Sequence, residues 1–585
     1  MKLAFGMLAA GAVLGLAVPA AAQPSRAYFT ARIAQQAAPP QLDTATREYY
    51  SAVFAAIDRK DWAGAQALLG QRDGVLHPVA LAELYLAAGS PKVEPEQIAA
   101  WLERGRALPQ AQALSRLALN RGATSLPALP AERPFQATSG IPKRTRPAAI
   151  DDGTMPAGVR EAILARISGD DPDGARALLD GVDALLSPAA RAEWRQRVAW
   201  SYYIENLDPQ ALALARTVAQ GDGAWVAEGE WTIGLAAWRL GDCAEAGPAF
   251  ERAAYRATNP ELRSAAFYWA ARAAVRCRKP ELSAELLRGA ASADDTLYGM
   301  LAAEQLGLAL PARVERADFS ADDWRALGGI DNVRAAIALA EIGRDRLASE
   351  VLLHQAQIGD PGHYAALSRL ARELSLPSTQ LYMAYNAPRG ASADPASHFP
   401  APKWAPATGW QIDPALAFAH TLQESNFRAE AVSPAQAQGL MQITPITVRE
   451  HAPRLGLSAS QVNIFDPATN LAFGQRNLEM LRDSPATGGA LPKVMAAYNA
   501  GLSPITRWNS EVRDQGDPLL YMESIPYWET RSYVAIVMRN YWMYERQARS
   551  PSPSRQALAE NAWPGFPGDA RPSQSGRVYL SAERN

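Results

Sequence analysis

The sequence predicts an all-α protein in which an N-terminal superhelix of helical hairpins precedes a second helical domain. Alanine is abundant throughout, and it has the highest helix propensity of all residues. Residues 229–256 and 260–291 look alike, because each has an aromatic, Ala-rich helix, a short turn and a second Ala-rich helix. Apolar residues recur at helical spacing again after Asp413. With 585 residues the chain exceeds what one core supports, so several domains are expected.

The two similar segments predict a stack of helix pairs. The spacing between Cys243 and Cys277 is close to the period of tetratricopeptide-type repeats, about 34 residues, although the full repeat signature is absent. Such pairs bury their apolar faces only by stacking, which gives a curved α-solenoid. The large aromatic residues of these segments are therefore expected in the core rather than at a ligand site: Trp231, Trp238, Tyr268 and Trp269.

Residues 1–22 have the pattern of a cleaved secretory signal peptide. Lys2 supplies the positive charge, residues 3–18 form the apolar run, and three alanines before Gln23 form the cleavage site. A membrane anchor is the alternative, but Pro19 and the small-residue cleavage site favour cleavage near Ala22. The mature protein is therefore expected in the periplasm without a transmembrane anchor.

Charge and cysteine content exclude several classes of function. The formal net charge of -2 does not suit a nucleic-acid binder, and no nucleic-acid partner is expected. The six histidines show no metal-ligand spacing, and no phosphate-binding or dinucleotide motif occurs, so no cofactor is expected. Cys243 and Cys277 are the only cysteines. Export allows a disulfide between them, but equivalent positions in stacked repeats can be too far apart, so the bond stays open.

The order of predicted elements gives five segments. Helix follows helix as far as residue 310, with a Pro-, Arg- and Gly-rich break at residues 122–158. Further helices precede a Pro-rich connector at residues 387–412. The predicted boundaries are as follows: signal peptide 1–22, superhelical domain 23–315, helical linker domain 316–404, second domain 405–548, and flexible tail 549–585.

Residues 413–442 carry the chemistry that this sequence suggests. Asp413 can cap a helix, and Pro414 at its first position costs no hydrogen bond. Apolar residues follow at helical spacing, and Glu424 comes where they end. A half-buried carboxyl there would have a raised pKa, which is what a general acid near neutral pH requires.

Four motifs around this acid resemble the catalytic domain of the soluble lytic transglycosylases. They are Glu424-Ser425-x-Phe427, Ser433-Pro434, the GLMQ stretch at residues 439–442 and the AYNAG stretch at residues 497–501. LYGMLAAEQLGL at residues 297–308 resembles a segment that ends the superhelix of that family. The resemblance implies a goose-lysozyme-like fold for residues 405–548 and peptidoglycan glycan strands as substrate.

The family likeness also implies a mechanism. Glu424 would act first as acid and then as base on the β-1,4 bond between N-acetylmuramic acid and N-acetylglucosamine. The N-acetyl group would assist, and the C6 hydroxyl would attack C1, which gives a 1,6-anhydro sugar without consuming water. The implied enzyme is an exotransglycosylase, a carbon–oxygen lyase acting on polysaccharides. Whether cleavage starts at strand ends or inside strands stays open.

The same resemblance implies a set of residues that line the glycan site. Glu529 matches a second carboxylate, although an ion pair with Arg531 is an alternative, and Glu523 on the same loop is a weaker candidate. His420 lies four residues before Glu424 and could tune it, but a core histidine is favoured. The implied substrate-binding residues are Ser425, Ser433, Gly439, Leu440, Met441, Gln442, Tyr498, Asn499 and Glu529.

Some positions depart from the family pattern, and two other functions stay open. Arg428-Ala429 replaces an Asp or Asn followed by Pro, Gln436 replaces a common glycine, and Leu502 replaces a proline. A hydrolytic muramidase on the same fold is one alternative, and a non-catalytic glycan-binding solenoid is the other. Besides glycan strands, proteins of cell-wall synthesis or remodelling are expected as partners of the solenoid.

Overall fold

The computed structural model describes residues 24–311 and 317–568. The predicted signal peptide lies outside the described residues. Helices account for nearly all regular structure in the described part, and a single two-stranded sheet is present there. The prediction of an all-α protein is confirmed.

The first described helix packs against the C-terminal part of the protein. Helix α1 packs against the helix that carries Glu424, through Phe29 and Phe418, whose ring centroids are 5.4 Å apart. The following helices form a separate bundle with capped starts, as Asp43 and Asp61 each accept a backbone hydrogen bond three residues on. The helices are α1 Pro24–Ala34, α2 Thr44–Asp58, α3 Trp62–Leu69, α4 His77–Leu86, α5 Pro95–Gly105 and α6 Ala111–Asn120.

Residues 122–156, the crossing segment, connect this bundle to the solenoid without forming a helix. Strand β1, Phe135–Ala137, pairs antiparallel with β2, Asn386–Pro388, and Gln136 lies opposite Ala387. Further on, Trp225 donates to the carbonyl of Ala148 at 2.9 Å. The predicted break is therefore an extended chain held by backbone hydrogen bonds, with many of its side chains exposed.

The solenoid follows, in which each helix packs on the next. The predicted core aromatics Trp231, Trp238, Tyr268 and Trp269 are all buried. The helices are α7 Ala157–Ser168, α8 Pro172–Asp180, α9 Pro188–Ile204, α10 Asp208–Arg216, α11 Trp225–Leu240, α12 Cys243–Arg256, α13 Pro260–Arg276, α14 Ser283–Ala291 and α15 Leu297–Gln305.

Cys243 and Cys277 form a disulfide, with 5.5 Å between their Cα atoms. Cys243 begins α12, and Cys277 directly follows the antiparallel helix α13. They therefore lie at the same end of one helix pair and not at equivalent positions of two stacked repeats. The long distance expected between equivalent positions of stacked repeats therefore does not apply to this pair of cysteines.

The next five helices share a core with the first bundle rather than standing alone. Phe54, Trp101 and Leu102 from the N-terminal bundle belong to the same buried cluster as Leu352 and Leu367. The boundaries predicted at residues 315 and 404 stay a prediction. These helices are α16 Ala321–Leu327, α17 Asp331–Glu341, α18 Asp345–Ile358, α19 Tyr364–Glu373 and α20 Pro377–Tyr385.

The C-terminal helices surround α21, which is almost wholly buried. Its capping residue Asp413 accepts hydrogen bonds from Ser25 at 2.8 Å and from Tyr541 at 3.0 Å. The helices are α21 Pro414–Ser425, α22 Pro445–His451, α23 Pro467–Asp483, α24 Leu491–Ala500, α25 Leu502–Glu511, α26 Pro518–Ser524, α27 Trp528–Gln547 and α28 Pro553–Ala559. None of the helices that the structure describes is long and apolar enough to cross a membrane.

The expectation of a flexible tail from residue 549 is wrong for residues 549–568. These residues include α28, and Trp542 donates to Ser554 at 2.9 Å. The backbone N–H of Leu491 donates to Pro564, and that of Phe566 donates to Gly489, both at 2.8 Å. Scattered apolar residues anchor this stretch without any periodicity that a sequence pattern could detect. Residues 569–585 lie outside the described residues.

Truncating Leu558 tests whether this C-terminal stretch is packed. Leu558 is fully buried, so Leu558→Ala should lower the free energy of unfolding by about 2–5 kcal/mol. Leu185→Ala, at a side chain that is 72% exposed, is the matched control and should change it by about 0.5 kcal/mol or less. Urea denaturation of both variants provides the measurement, and equal stabilities would contradict the packing of α28.

Candidate active site

Glu424 lies in the last turn of α21, and an unusual turn ends that helix. Asn426 and Phe427 both have positive φ, 51° and 60°. A bulky residue rarely adopts this conformation, which costs on the order of 1–3 kcal/mol. Phe427 is buried and lies 6.0 Å from Phe418 and 6.4 Å from Trp404, measured between ring centroids. This packing holds the turn and so fixes where the helix that carries Glu424 stops.

The carboxyl of Glu424 is half-buried and has one hydrogen-bond donor. Tyr533 donates its hydroxyl to Oε1 at 2.6 Å. Burial, together with the charge of Glu529, raises the pKa of Glu424 to about 7, and the hydrogen bond from Tyr533 partly opposes this. Neutral and ionised forms therefore coexist near pH 7, as a group that gives and then takes a proton requires.

His420 continues this arrangement behind Tyr533. Its Nδ1 lies 2.8 Å from the hydroxyl of Tyr533, and its ring centroid lies 4.6 Å from that of Tyr498. Because the tyrosine hydroxyl donates to Glu424, Nδ1–H of His420 must be the donor to Tyr533. Complete burial lowers the pKa of His420 to about 3, so the ring is neutral. The interpretation as a core histidine therefore fits, but the residue also supports the donor to the acid.

Tyr533 is a site residue that the sequence interpretation missed. It lies on α27, four residues after Glu529, so that both face the same side of the helix. That spacing from the second carboxylate was the one signal that could have identified it. Thr530, also missed, donates to the side-chain oxygen of Asn499 at 2.6 Å and so orients that amide.

The GLMQ stretch is held in place mainly by hydrogen bonds to its backbone. Gly439, Leu440 and Met441 are buried, and the backbone N–H of Met441 donates to Asn470 at 2.8 Å. Gly439 has a φ of 74°, and a Cβ there would lie 2.2 Å from the amide nitrogen of Asn470. The buried Asn470 therefore requires glycine at this point, and the predicted cleft wall is built on it. Gln442 is half-buried and donates to the Gly439 carbonyl at 2.9 Å.

The loop that holds Ser433 is a narrow turn before this stretch. Ser433 is half-buried, and its hydroxyl oxygen accepts from the backbone N–H of Ala437 at 3.0 Å. Gln436 has a φ of 62°, which is the conformation that glycine adopts most easily. The departure from glycine noted in the sequence therefore changes the residue at a left-handed position without removing the turn.

Tyr498 and Ser425, two further predicted substrate-binding residues, donate hydrogen bonds to backbone carbonyls of the protein. Tyr498 donates to the Met441 carbonyl at 2.8 Å, so its hydroxyl joins the GLMQ stretch and not Glu424. Ser425 is buried and donates to the carbonyl of Thr421 at 3.3 Å, which places it inside the helix packing. Its predicted contact with substrate is therefore not supported by its position, whereas the expectation that it holds the helix end agrees with it.

The two acids of the C-terminal loop differ in their surroundings. Glu529 is exposed and close enough to Glu424 for its charge to raise the pKa of that acid. Arg531 does not pair with it, since its guanidinium donates to the carbonyls of Glu523 and Ile525 at 3.3 and 3.2 Å. Glu523 accepts from Tyr298 of the solenoid at 2.7 Å and faces away from the acid. Among the described residues no cluster could hold a metal ion.

Residues 404–520 match the family model of the transglycosylase SLT domain. The soluble lytic murein transglycosylase of Escherichia coli K12 is 30% identical over 155 residues, which are 26% of this chain and 24% of that protein. The membrane-bound lytic murein transglycosylase C of Histophilus somni 2336 is 35% identical over 111 residues, 18% of this chain and 31% of that protein. The chain thus spans less than a third of the length of either relative.

Two solved structures resemble the chain over most of its length. The 70 kDa soluble lytic transglycosylase of Escherichia coli has a TM-score of 0.50 at 15% identity, covering 89% of this chain and 99% of that one. A 70 kDa soluble lytic transglycosylase in complex with bulgecin A has a TM-score of 0.51 at 18% identity, covering 93% and 91%. These likenesses concern the fold, and the predicted superhelix followed by a lysozyme-like domain is confirmed.

The raised pKa of Glu424 predicts a pH-dependent cost in stability. In the unfolded chain its pKa is near 4.5, whereas in the fold it is about 7. Between these pH values the unfolded state releases the proton of Glu424 while the folded state still holds it. The free energy of unfolding of wild type therefore falls as pH rises from 4.5 to 7. Residue 424 does not titrate in Glu424→Gln. The free energy of unfolding of this variant, relative to that of wild type, should therefore rise by on the order of 3 kcal/mol between pH 4.5 and 8. Denaturant titrations across this range measure the gain.

Glu430→Gln removes one negative charge from an exposed residue on the following loop and is the control for that comparison. A constant difference between Glu424→Gln and wild type across the pH range would contradict the raised pKa.

Removing the Tyr533 hydroxyl should raise the pKa of Glu424 further. The hydroxyl stabilises the ionised carboxylate, and a hydrogen bond to a charged group contributes about 1.5–3 kcal/mol. In Tyr533→Phe the pKa should therefore rise by roughly one to two pH units. Carbon-13 NMR titration of labelled glutamate, assigned by comparison with Glu424→Gln, provides the measurement. Tyr541→Phe is the matched control, because that hydroxyl on the same helix bonds Asp413 instead.

Proposed function

We propose that the chain is a peptidoglycan lytic transglycosylase, because residues 404–520 match the family model of the transglycosylase SLT domain. The observation that carries the proposal is Glu424, a half-buried carboxyl whose pKa is raised to about 7. Its Oε1 accepts a hydrogen bond from the hydroxyl of Tyr533. The proposed bond is the β-1,4 linkage between N-acetylmuramic acid and N-acetylglucosamine.

Glu424 acts first as the acid in the proposed reaction. Its raised pKa keeps the carboxyl protonated in a large share of molecules near neutral pH. Since Tyr533 occupies Oε1, we assign the transferred proton to Oε2, which gives it to the glycosidic oxygen as the bond to C1 breaks. The hydroxyl of Tyr533 then stabilises the carboxylate that remains.

The same carboxylate acts as the base in the second step. The C6 hydroxyl of N-acetylmuramic acid attacks C1, and its proton returns to Glu424, so that one bond breaks, one forms and no water is consumed. The exposed charge of Glu529 favours the protonated acid and the positive charge that develops at C1. The side-chain amide of Asn499, oriented by Thr530, supplies a polar group for the N-acetyl sugars.

A hydrolytic muramidase is the second candidate, because Glu529 is exposed and a water could lie between it and the sugar. In that reaction water rather than the C6 hydroxyl attacks C1. A solenoid that only binds glycan is the third, although Glu424 and the surrounding motifs are all retained.

We further propose export to the periplasm, on the pattern of residues 1–22, with glycan strands as the substrate there. The solenoid would guide the strand or bind a protein of cell-wall synthesis or remodelling. Exolytic cleavage is part of the proposal.

Mass spectrometry of the fragments released from purified peptidoglycan tests the reaction. Wild type should release muropeptides that end in 1,6-anhydro-N-acetylmuramic acid, and Glu424→Gln should lose at least about 99% of that release, as expected when a proton donor is removed. Glu430→Gln, an exposed acid six residues on, is the matched control and should release the same products as wild type.

The other outcomes would favour the other candidates. Fragments with reducing ends, heavier by one water, would establish the muramidase. Binding to peptidoglycan without release by wild type would indicate the glycan-binding solenoid.

A further inference from the structure

A cavity of about 290 Å³ lies between the solenoid and α27. Its lining comes from α7, α9, α11, α13 and α15 of the solenoid, from the crossing segment, from α26, and from Trp528, Arg531, Ser532 and Ala535 of α27. Neither Glu424 nor any of the predicted substrate-binding residues lines it. Its volume is at the lower end of the range for small-molecule sites, so it suits a ligand the size of a dipeptide.

Four residues of α27 face the cavity, whereas Glu529 and Tyr533 face the acid. In a helix with 3.6 residues per turn, Trp528, Ser532 and Ala535 recur on one side. Glu529 and Tyr533 share a different side. The cavity is therefore separated from the candidate active site by the width of one helix.

Stacked guanidinium and indole groups form much of the cavity wall. The guanidinium carbon of Arg531 lies 4.4 Å from the ring centroid of Trp200 and 5.1 Å from that of Trp528. The guanidinium carbon of Arg146, a residue of the crossing segment, lies 4.5 Å from the ring centroid of Trp528. That of Arg144, in the same segment, lies 5.2 Å from the ring centroid of Trp231. A stacked guanidinium keeps its N–H groups for hydrogen bonding in its plane, the geometry that binds carboxylates.

Among the described residues, two cations in this wall lack an ion-pair partner, while its lining acid Glu523 accepts from Tyr298 at 2.7 Å and its charge acts on Arg531 without forming an ion pair. Arg144 is paired with Glu228 at 2.8 Å, and the lining acid Glu261 is paired with Arg539 at 3.2 Å. Across residues 24–311 and 317–568, neither Arg146 nor Arg531 has a carboxylate within ion-pair distance.

Arg531 is the more informative of these two cations because it is 8% exposed. Its guanidinium donates to two backbone carbonyls at 3.2 and 3.3 Å. Burial, together with the charges of Arg144 and Arg146, lowers its pKa to about 10, and the charge of Glu523 partly opposes this. A buried cation without an ion-pair partner is costly unless an anion joins it, and Arg146 is exposed nearby to share that anion.

We infer that this cavity binds the free carboxylate of a short peptide, with Arg146 and Arg531 on the carboxylate and the indoles of Trp200 and Trp528 against the rest. The choice of a peptide rests on the proposed function, because the peptides of peptidoglycan carry free carboxylates. The site is a binding site on the far side of α27 from Glu424 and takes no part in the chemical step.

Isothermal titration calorimetry of the full chain with L-alanyl-γ-D-glutamate tests this assignment. Wild type should bind the dipeptide, and Arg146→Gln should weaken binding at least tenfold. Arg72→Gln is the matched control, because Arg72 also stacks on an aromatic ring, that of Tyr49 in the N-terminal bundle, and should leave binding unchanged. The dipeptide with both carboxylates converted to amides should bind at least tenfold more weakly than the free acid.

Acetate separates a peptide site from a general anion site. Equal affinity for acetate and the dipeptide, equal affinity for the amide and the free acid, or an Arg146→Gln variant that binds like wild type would each overturn the inference. Absence of binding to wild type would do so as well.

Glu424→Gln keeps this test independent of the proposed function. That variant should bind the dipeptide like wild type, since Glu424 does not line the cavity. Loss of binding in Glu424→Gln would place the dipeptide in the active site and overturn the inference. Dipeptide binding by a chain that releases no anhydro fragments would leave the inference standing while the proposed reaction fails.

Discussion

The candidate active site depends on the hydrogen bond from Tyr533 to Glu424. Burial alone would favour the neutral carboxyl, because a carboxylate loses hydration when it leaves water. The tyrosine hydroxyl favours the charged form, and the two effects together leave the pKa of Glu424 at about 7. His420 supports this donor from behind while staying neutral, so it adds no charge that would stabilise the carboxylate further.

That hydrogen bond requires α21 and α27 to keep one relative position, and the structure secures them at both ends. Near the C-terminal end of α21, Tyr533 bonds Glu424, and at its N-terminal end Tyr541 bonds the capping residue Asp413. The two tyrosines lie eight residues apart on α27, which runs antiparallel to α21. Ser25 from α1 bonds the same carboxylate, so the first described helix also supports the acid.

The parts of the site that could be predicted are those that local physics decides. Asp413 caps its helix, the apolar face is buried, and Glu424 stands where that face ends, all of which a pattern of a dozen residues contains. Tyr533 could not be found this way. Its contact with Glu424 spans 109 residues, and only its spacing of four residues from Glu529 distinguishes it from the other aromatic residues of α27.

The overall fold shows the same division between local and long-range determinants. Helical periodicity predicted the solenoid and its buried aromatic residues, because each repeat buries its own face against the next. The core shared by the N-terminal bundle and helices α16–α20 was not predictable, since it joins segments more than 200 residues apart. Leu558 and Phe566 anchor the C-terminal stretch individually, so a periodicity argument assigned it wrongly to a flexible tail.

The order of charges on α27 explains how one helix can serve a proton donor and still carry a buried cation. Arg531 lies two positions from both Glu529 and Tyr533, which turns its side chain about 200° away from theirs. A guanidinium facing Glu424 would lower the pKa of that acid and weaken it as a proton donor. None of the effects on the Glu424 pKa comes from Arg531, whose own pKa depends instead on burial and on the charges around the cavity. The helix thus isolates the acid from the cation, so that an anion held by Arg531 would stabilise the cavity side of α27 without removing the proton from Glu424.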